Sequence, residues 1–156
     1  MSETLRHMYE IYIRTTPEKL WNALTNGELT KQYFYGAAAH SDWKAGSAYE
    51  MIDEDGDKML FGDVVESDPP NKLVYTFNAA YDPAEDRDPP SRVTCEIAPM
   101  GEICKLTLVH EHFAGETETF KNTRSGWGPI LSGLKTLLET GKPLGFRRPQ
   151  EATTGS

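Results

Sequence analysis

Residues 127–143, Trp-Gly-Pro-Ile-Leu-Ser-Gly-Leu-Lys-Thr-Leu-Leu-Glu-Thr-Gly-Lys-Pro, decide the fold. Trp127, Ile130, Leu131, Leu134, Leu137 and Leu138 recur every three to four residues, the spacing of one wide apolar stripe along an α-helix, and Gly141 and Pro143 close it. Gly126, Gly128 and Pro129 interrupt any helix that begins near Thr117. The spacing therefore predicts a short helical lead-in and a stronger helix over Pro129–Thr140. A stripe of that width needs a partner. The segments before it are short alternating runs that read as strands of an antiparallel sheet, and the helix is expected to cross its concave face. Such an arrangement encloses a space, and what fills it, side chains or a ligand, is the functional question.

Near the N-terminus Tyr9, Ile11 and Ile13 alternate with Glu10, Tyr12 and Arg14, a strand of period two. Thr16-Pro17-Glu18 opens a helix, with Thr16 as N-cap, Pro17 where a missing N–H does no harm, and Leu20, Trp21 and Leu24 on the buried side. Asn26-Gly27 ends it, and a second short helix is expected over Glu28–Tyr33. Strands follow near Ser47–Asp53 and Met59–Ser67 around a turn at Asp55-Gly56, then over Lys72–Ala79, Arg92–Ala98 and Ile103–His112. Tyr81 to Pro90 is loaded with Asp, Glu and Pro and reads as an exposed loop. This order predicts an α+β fold: a curved antiparallel sheet of about six or seven strands around a long C-terminal helix, with two short helices after the first strand. Residues 1–144 read as one domain and 145–156 as a C-terminal tail.

The 156 residues carry 24 acidic against 16 basic side chains, a net charge of −8, so the overall field repels phosphate backbones and no nucleic-acid partner is expected. No run approaches the roughly 18 apolar residues of a membrane span, and Met-Ser-Glu-Thr lacks the features of a secretory signal. Membrane insertion is therefore not expected, and a cytoplasmic location is. Cys95 and Cys104 flank a turn at Pro99-Met100-Gly101 and read as two small apolar thiols on adjacent strands.

Particular residues in this order resemble the helix-grip (SRPBCC) superfamily, which includes the START lipid-transfer domains. Within it the chain resembles the bacterial branch related to the activator of the heat-shock-protein-90 ATPase. The residues that carry the resemblance are Ile13-Arg14-Thr15-Thr16-Pro17-Glu18-Lys19-Leu20-Trp21 with Ala23-Leu24-Thr25, and Ser41-Asp42-Trp43-Lys44 with Gly46-Ser47. Gly62-Asp63-Val64 leading to Asp68-Pro69-Pro70, Pro90-Ser91-Arg92-Val93-Thr94, and Gly126-Trp127 with the leucine-rich helix complete it. The resemblance spans residues 8 to 144 and implies the helix-grip fold. It leaves function open among lipid carriers, polyketide cyclases, hormone receptors and co-chaperones.

Alternation places Tyr9, Ile11 and Ile13, then Tyr49, Met51 and Phe61, on the inner face of the sheet. Tyr75, Phe77, Val93 and Cys95 follow, with Leu106 and Leu108 on the last strand. From Tyr49 onward these residues, together with His110, Trp127, Leu131 and Leu134, form the candidate ligand-binding set. The same composition also describes a packed core. Phe61 and Gly62 cannot both point inward, so the phase of that strand is open. Trp21 and Trp43 read as core anchors, and Trp127 as a core residue or a cavity wall. His110-Glu111-His112 puts two imidazoles at i and i+2 but lacks a third ligand, so no metal is expected. His110 is read as a hydrogen-bonded inward histidine that also serves as a candidate donor to a ligand. The acidic clusters Asp53-Glu54-Asp55 and Glu66-Ser67-Asp68 read as solvated turn charge.

No nucleophile elbow, zinc motif, P-loop or dinucleotide fingerprint occurs, and no cofactor is expected. The functional expectation is binding, by carriage or sensing, of a small hydrophobic or aromatic molecule such as a lipid or polyketide, rather than catalysis. The alternatives are a cyclase, aromatase or hydrolase using His110 or Tyr75 as acid or base, and a co-chaperone-like interaction module. Exposed strand edges leave room for a homodimer without selecting one.

Overall fold

The computed structural model describes residues 5–80 and 89–145. Period-two alternation becomes a seven-stranded antiparallel sheet in the order β1-β7-β6-β5-β4-β3-β2. The strands are β1 (Arg6–Ile13), β2 (Ala38–Ser41), β3 (Ala48–Ile52), β4 (Lys58–Asp68), β5 (Lys72–Ala79), β6 (Ser91–Met100) and β7 (Ile103–Glu111). Two short helices, α1 (Pro17–Thr25) and α2 (Gly27–Thr30), follow β1, and α3 (Glu118–Thr140) ends the fold. This is the helix-grip architecture expected. The four-residue β2 was not anticipated; it pairs with β3 and forms one edge, with β1 at the other. The expected loop at 81–90 falls mostly, and the expected tail almost wholly, outside the described residues. Among the described residues no helix is long and apolar enough to cross a membrane.

Local chemistry sets the helix ends. Thr16 accepts a hydrogen bond from the Lys19 N–H and Pro17 occupies the first turn, while Asn26 caps α2 through the Glu28 N–H. Thr117 caps α3 at the Phe120 N–H, and Gly141, at φ 80°, closes it with a hydrogen bond from its N–H to the Leu137 carbonyl.

The expected break at Pro129 does not occur: α3 runs unbroken for 23 residues with Pro129 inside it. A proline in a helix interior costs about 3 kcal/mol. The stripe that opposes this cost begins two turns before Trp127, because Phe120 and Thr123 are buried on the same face as Trp127, Ile130, Leu131 and Leu134. Each fully buried apolar side chain contributes on the order of 2 kcal/mol, so tertiary packing outweighs the local penalty.

A row of polar ties fastens α3 along β1. His7 Nε2 donates to the Phe120 carbonyl at 3.1 Å, and Tyr9 Oη donates to the Arg124 carbonyl at 3.1 Å. Farther along, Lys135 Nζ donates to the Tyr12 carbonyl, and the Arg14 N–H donates to Glu139 at 2.9 Å. On the opposite flank the crossing ties come from residues 33–35. Tyr33 Oη donates to the Ala23 carbonyl and Tyr35 Oη to the Gly126 carbonyl, each at 2.8 Å, and the Phe34 ring meets Trp127 edge-on.

Candidate functional site

Between sheet and α3 the interior has two parts. At the N-terminal end of α3, below β1, β6 and β7, lies a filled cluster of His7, His110, Phe77, Phe113, Phe120 and Trp127. His7 stacks on Phe120 with ring centroids 4.7 Å apart, and His110 lies 4.5 Å from both Phe77 and Phe113. The polar atoms of His110 are all used. Trp127 Nε1 donates to His110 Nδ1 at 3.0 Å, and His110 Nε2 lies 2.8 Å from Ser91 Oγ. An indole N–H only donates, so Nδ1 must be the bare nitrogen and Nε2 must carry the proton. Nε2 then donates to Ser91, which passes its own hydrogen to the Phe77 carbonyl at 3.4 Å.

That tautomer decides the chemistry. With Nε2 already protonated, His110 cannot take a proton from Ser91, so the pair is not an activated nucleophile despite its short contact. Burial, with a smaller contribution from His7, pulls the His110 pKa down to about 3, so the imidazolium does not form at neutral pH and the ring is no general acid either. His110 is the hydrogen-bonded structural histidine of the sequence reading, and both its nitrogens are occupied within the protein. His112 does not continue the strand face of His110 as the i, i+2 spacing suggested, because β7 ends at Glu111 and His112 is exposed with φ 70°.

The second part lies farther along α3, facing β2, β3, β5, β6 and β7 and the residues after α1. Here a cavity of about 40 Å³ remains. At roughly 10–15 Å³ per enclosed water, that is room for about three waters. It is far below the roughly 300 Å³ of pockets that enclose drug-sized molecules. Of the sequence-selected residues, Tyr49, Met51, Tyr75 and Cys95 line it from the sheet together with Leu108, and Trp127, Leu131 and Leu134 line it from α3. Phe77, Val93, Leu106 and His110 are buried beside it without lining it. Phe61 departs further: Gly62 takes the inward position, where an added Cβ would lie 2.9 Å from the Tyr49 ring. Phe61 therefore turns to the outer face, where the Lys58 ammonium sits over its ring at 5.3 Å. Val64 returns inward, followed by a register shift between Val64 and Glu66.

The sequence reading missed the wall opposite the sheet. Tyr33, Phe34 and Ile130 line the cavity, as do Leu24, Thr30 and Ala39. Trp43, expected as a core anchor, is half-buried, lines the cavity and stacks on Tyr49. The run Tyr33-Phe34-Tyr35-Gly36 was the available signal. Its aromatic density has no period, however, and its role depends on the left-handed turn at Tyr35 and Gly36.

The polar atoms of this lining differ sharply among themselves. Tyr33 Oη is held by the Ala23 carbonyl and Tyr49 Oη by the Thr76 carbonyl at 2.7 Å. Thr30 Oγ1 donates to the Ala37 carbonyl and accepts from the Ala39 N–H. Tyr75 Oη finds no partner among the described residues. Burial, reinforced by Cys95, Tyr49 and Tyr33 nearby, lifts its phenol well above the usual tyrosine range. Burial likewise pushes the Cys95 thiol up to about 12, so it is an unreactive thiol and not a nucleophile. Among the described residues no charged side chain lines the cavity.

Comparison with known proteins fits this geometry. The chain matches protein MLL2253 of Mesorhizobium loti with a TM-score of 0.73 at 25% identity, covering 85% of this chain and 96% of that one. It matches the Aha1 dimer of Colwellia psychrerythraea at TM-score 0.71 and 20% identity, covering 88% and 98% of the two chains. It also matches PFC0360w, an HSP90 activator of Plasmodium falciparum, at TM-score 0.70 and 22% identity, covering 86% and 96%. No curated protein matches significantly. The family model for Activator of Hsp90 ATPase homolog 1-like protein matches residues 14–139, which is most of the sequence, and the chain belongs to that family.

Proposed function

We propose that this protein binds a compact hydrophobic molecule between the sheet and α3, and acts as a carrier or sensor rather than as a catalyst. The observation that carries this reading is the cavity itself: an apolar space walled by Tyr, Trp, Phe and Leu side chains, left unfilled within the buried core. Its size sets the class of guest. A single small ring fits only if the walls part, and a long-chain lipid does not fit this conformation. The ties favour parting on one side. Hydrogen bonds along β1 hold α3 on that flank, while the 33–43 segment opposite crosses to α3 mainly through Tyr35 and Phe34. The experiment is a thermal-shift and tryptophan-fluorescence screen of small aromatic and alicyclic compounds. Ligands that bind the native state raise Tm, and Trp43 and Trp127 report from the cavity wall. Flat responses in both readouts across the library overturn the proposal.

The small size of this cavity favours a second reading, in which an outer surface works as a protein-interaction module. The activator named for the Plasmodium neighbour is the precedent. Binding of the purified protein to Hsp90, measured by calorimetry, supports it; no heat at micromolar concentrations removes it.

A further inference from the structure

We infer that the Tyr75 hydroxyl is the polar anchor of the interior site, and that its ligand is a neutral molecule with an apolar body and one hydroxyl or carbonyl group. This rests on the interior-binding reading above. The inference comes from the contrast among neighbouring side chains. Tyr33 and Tyr49 reach into the same region, and each phenol is held by a backbone carbonyl at 2.7–2.8 Å. The Tyr75 ring packs edge-on against Tyr49 with centroids 5.1 Å apart, and of the three phenols lining the cavity its hydroxyl is the one without a partner among the described residues. Those two phenols are already committed to backbone carbonyls, whereas the Tyr75 hydroxyl is open to a guest in the space its side chain lines.

The surroundings define what meets it. Among the described residues no ammonium, guanidinium or carboxylate lines the cavity, so none of them offsets the desolvation of an ionic ligand, which disfavours carboxylates, phosphates and amines. Buried as it is, the phenol stays protonated and donates to a carbonyl or phenol oxygen, while its lone pairs accept from a ligand hydroxyl. A guest lacking a polar atom makes no hydrogen bond to the phenol and binds more weakly. The remaining wall is aromatic or aliphatic and sets shape rather than direction.

The test uses the full chain and two probes that differ by one hydroxyl, p-cresol and toluene, titrated into the wild type and Tyr75→Phe while ring-proton and methyl NMR shifts are followed. The inference predicts that p-cresol binds the wild type roughly tenfold more tightly than toluene, and that Tyr75→Phe removes this preference without weakening toluene. It also predicts that Tyr75→Phe keeps the wild-type Tm without ligand, which shows that the variant folds and that the hydroxyl has no protein partner. Equal losses for both probes, or a preference that survives in Tyr75→Phe, overturn the anchor and leave interior binding standing. If neither probe, nor any compound of the screen above, binds the wild type, interior binding falls and the anchor falls with it.

Discussion

The two parts of the interior are built from the same residue types and end in opposite states. At the His110 end, rings from β1, β5, β7 and α3 interlock, and Trp127, His110, Ser91 and the Phe77 carbonyl form a chain with every donor used. At the Tyr75 end, comparable aromatic density leaves free volume and a spare hydroxyl. The difference is one of pairing. The first part is closed by residues whose polar atoms face each other, whereas in the second Tyr33 and Tyr49 give their hydroxyls to backbone carbonyls and the Tyr75 hydroxyl has no partner among the described residues. Aromatic content alone therefore does not distinguish a core from a site; the state of the polar atoms does.

The largest effect that sharpens this contrast comes from the residue shared by both parts. Trp127→Ala is expected to destabilise the protein by about 3–5 kcal/mol in urea unfolding, through a cavity at the joint and a His110 nitrogen left without its donor. A loss below about 1 kcal/mol would show that the His110 end is not tightly packed.

Acid attacks the same end. The His110 pKa of about 3 lies below the ordinary imidazole value of 6.5, so the unfolded chain takes up the proton first. The stability contribution is complete above about pH 6.5 and is lost as pH falls toward 3, at about 1.4 kcal/mol per unit. Among the described residues the groups packed around the ring are Trp127, Ser91, Phe77, Phe113 and His7; burial shifts His7 in the same direction, and no carboxylate is among them. Unfolding free energy should therefore drop by about 2 kcal/mol between pH 7 and pH 5, with a shallower slope in His110→Gln. Equal slopes in the two proteins would remove His110 as the cause.

Added volume separates the two parts further. Val93, the register partner of His110, is fully buried, and Val93→Ile should cost about 1–3 kcal/mol by overpacking. Ala39 borders the cavity, so Ala39→Val should be tolerated within about 1 kcal/mol. The smallest contrast is among the phenols. Tyr33→Phe and Tyr49→Phe each lose a backbone hydrogen bond and should cost about 1 kcal/mol, while Tyr75→Phe should change stability by less than about 0.5 kcal/mol. Differential scanning calorimetry resolves that ordering.

How far the sequence spoke for itself varied with the periodicity of each segment. Lys72–Ala79 alternates without interruption, and its strand has those limits in the structure. The leucine stripe likewise fixed the latter half of α3. The first half was hidden because Gly126, Gly128 and Pro129 weigh against a helix locally, and only packing of Phe120 and Thr123 against His7 reverses them. The phase at Phe61 turned on a register shift two residues beyond Gly62 and on the room that glycine leaves for Tyr49. Neither is written in local alternation. The cavity lining from the sheet was legible for the same reason the strands were. Tyr33 and Phe34 were not, because what they face is set by chain segments close to a hundred residues away.

The central claim is that the space beside Tyr75 admits a guest and the cluster around His110 does not. Its most direct measurement is a ¹H–¹³C NMR titration of the labelled protein with p-cresol. The account predicts saturable shifts at Tyr75, Met51, Leu131 and Leu134, with the His7 and His110 ring signals unmoved. Shifts confined to surface residues, or a response centred on the histidine rings, would contradict it.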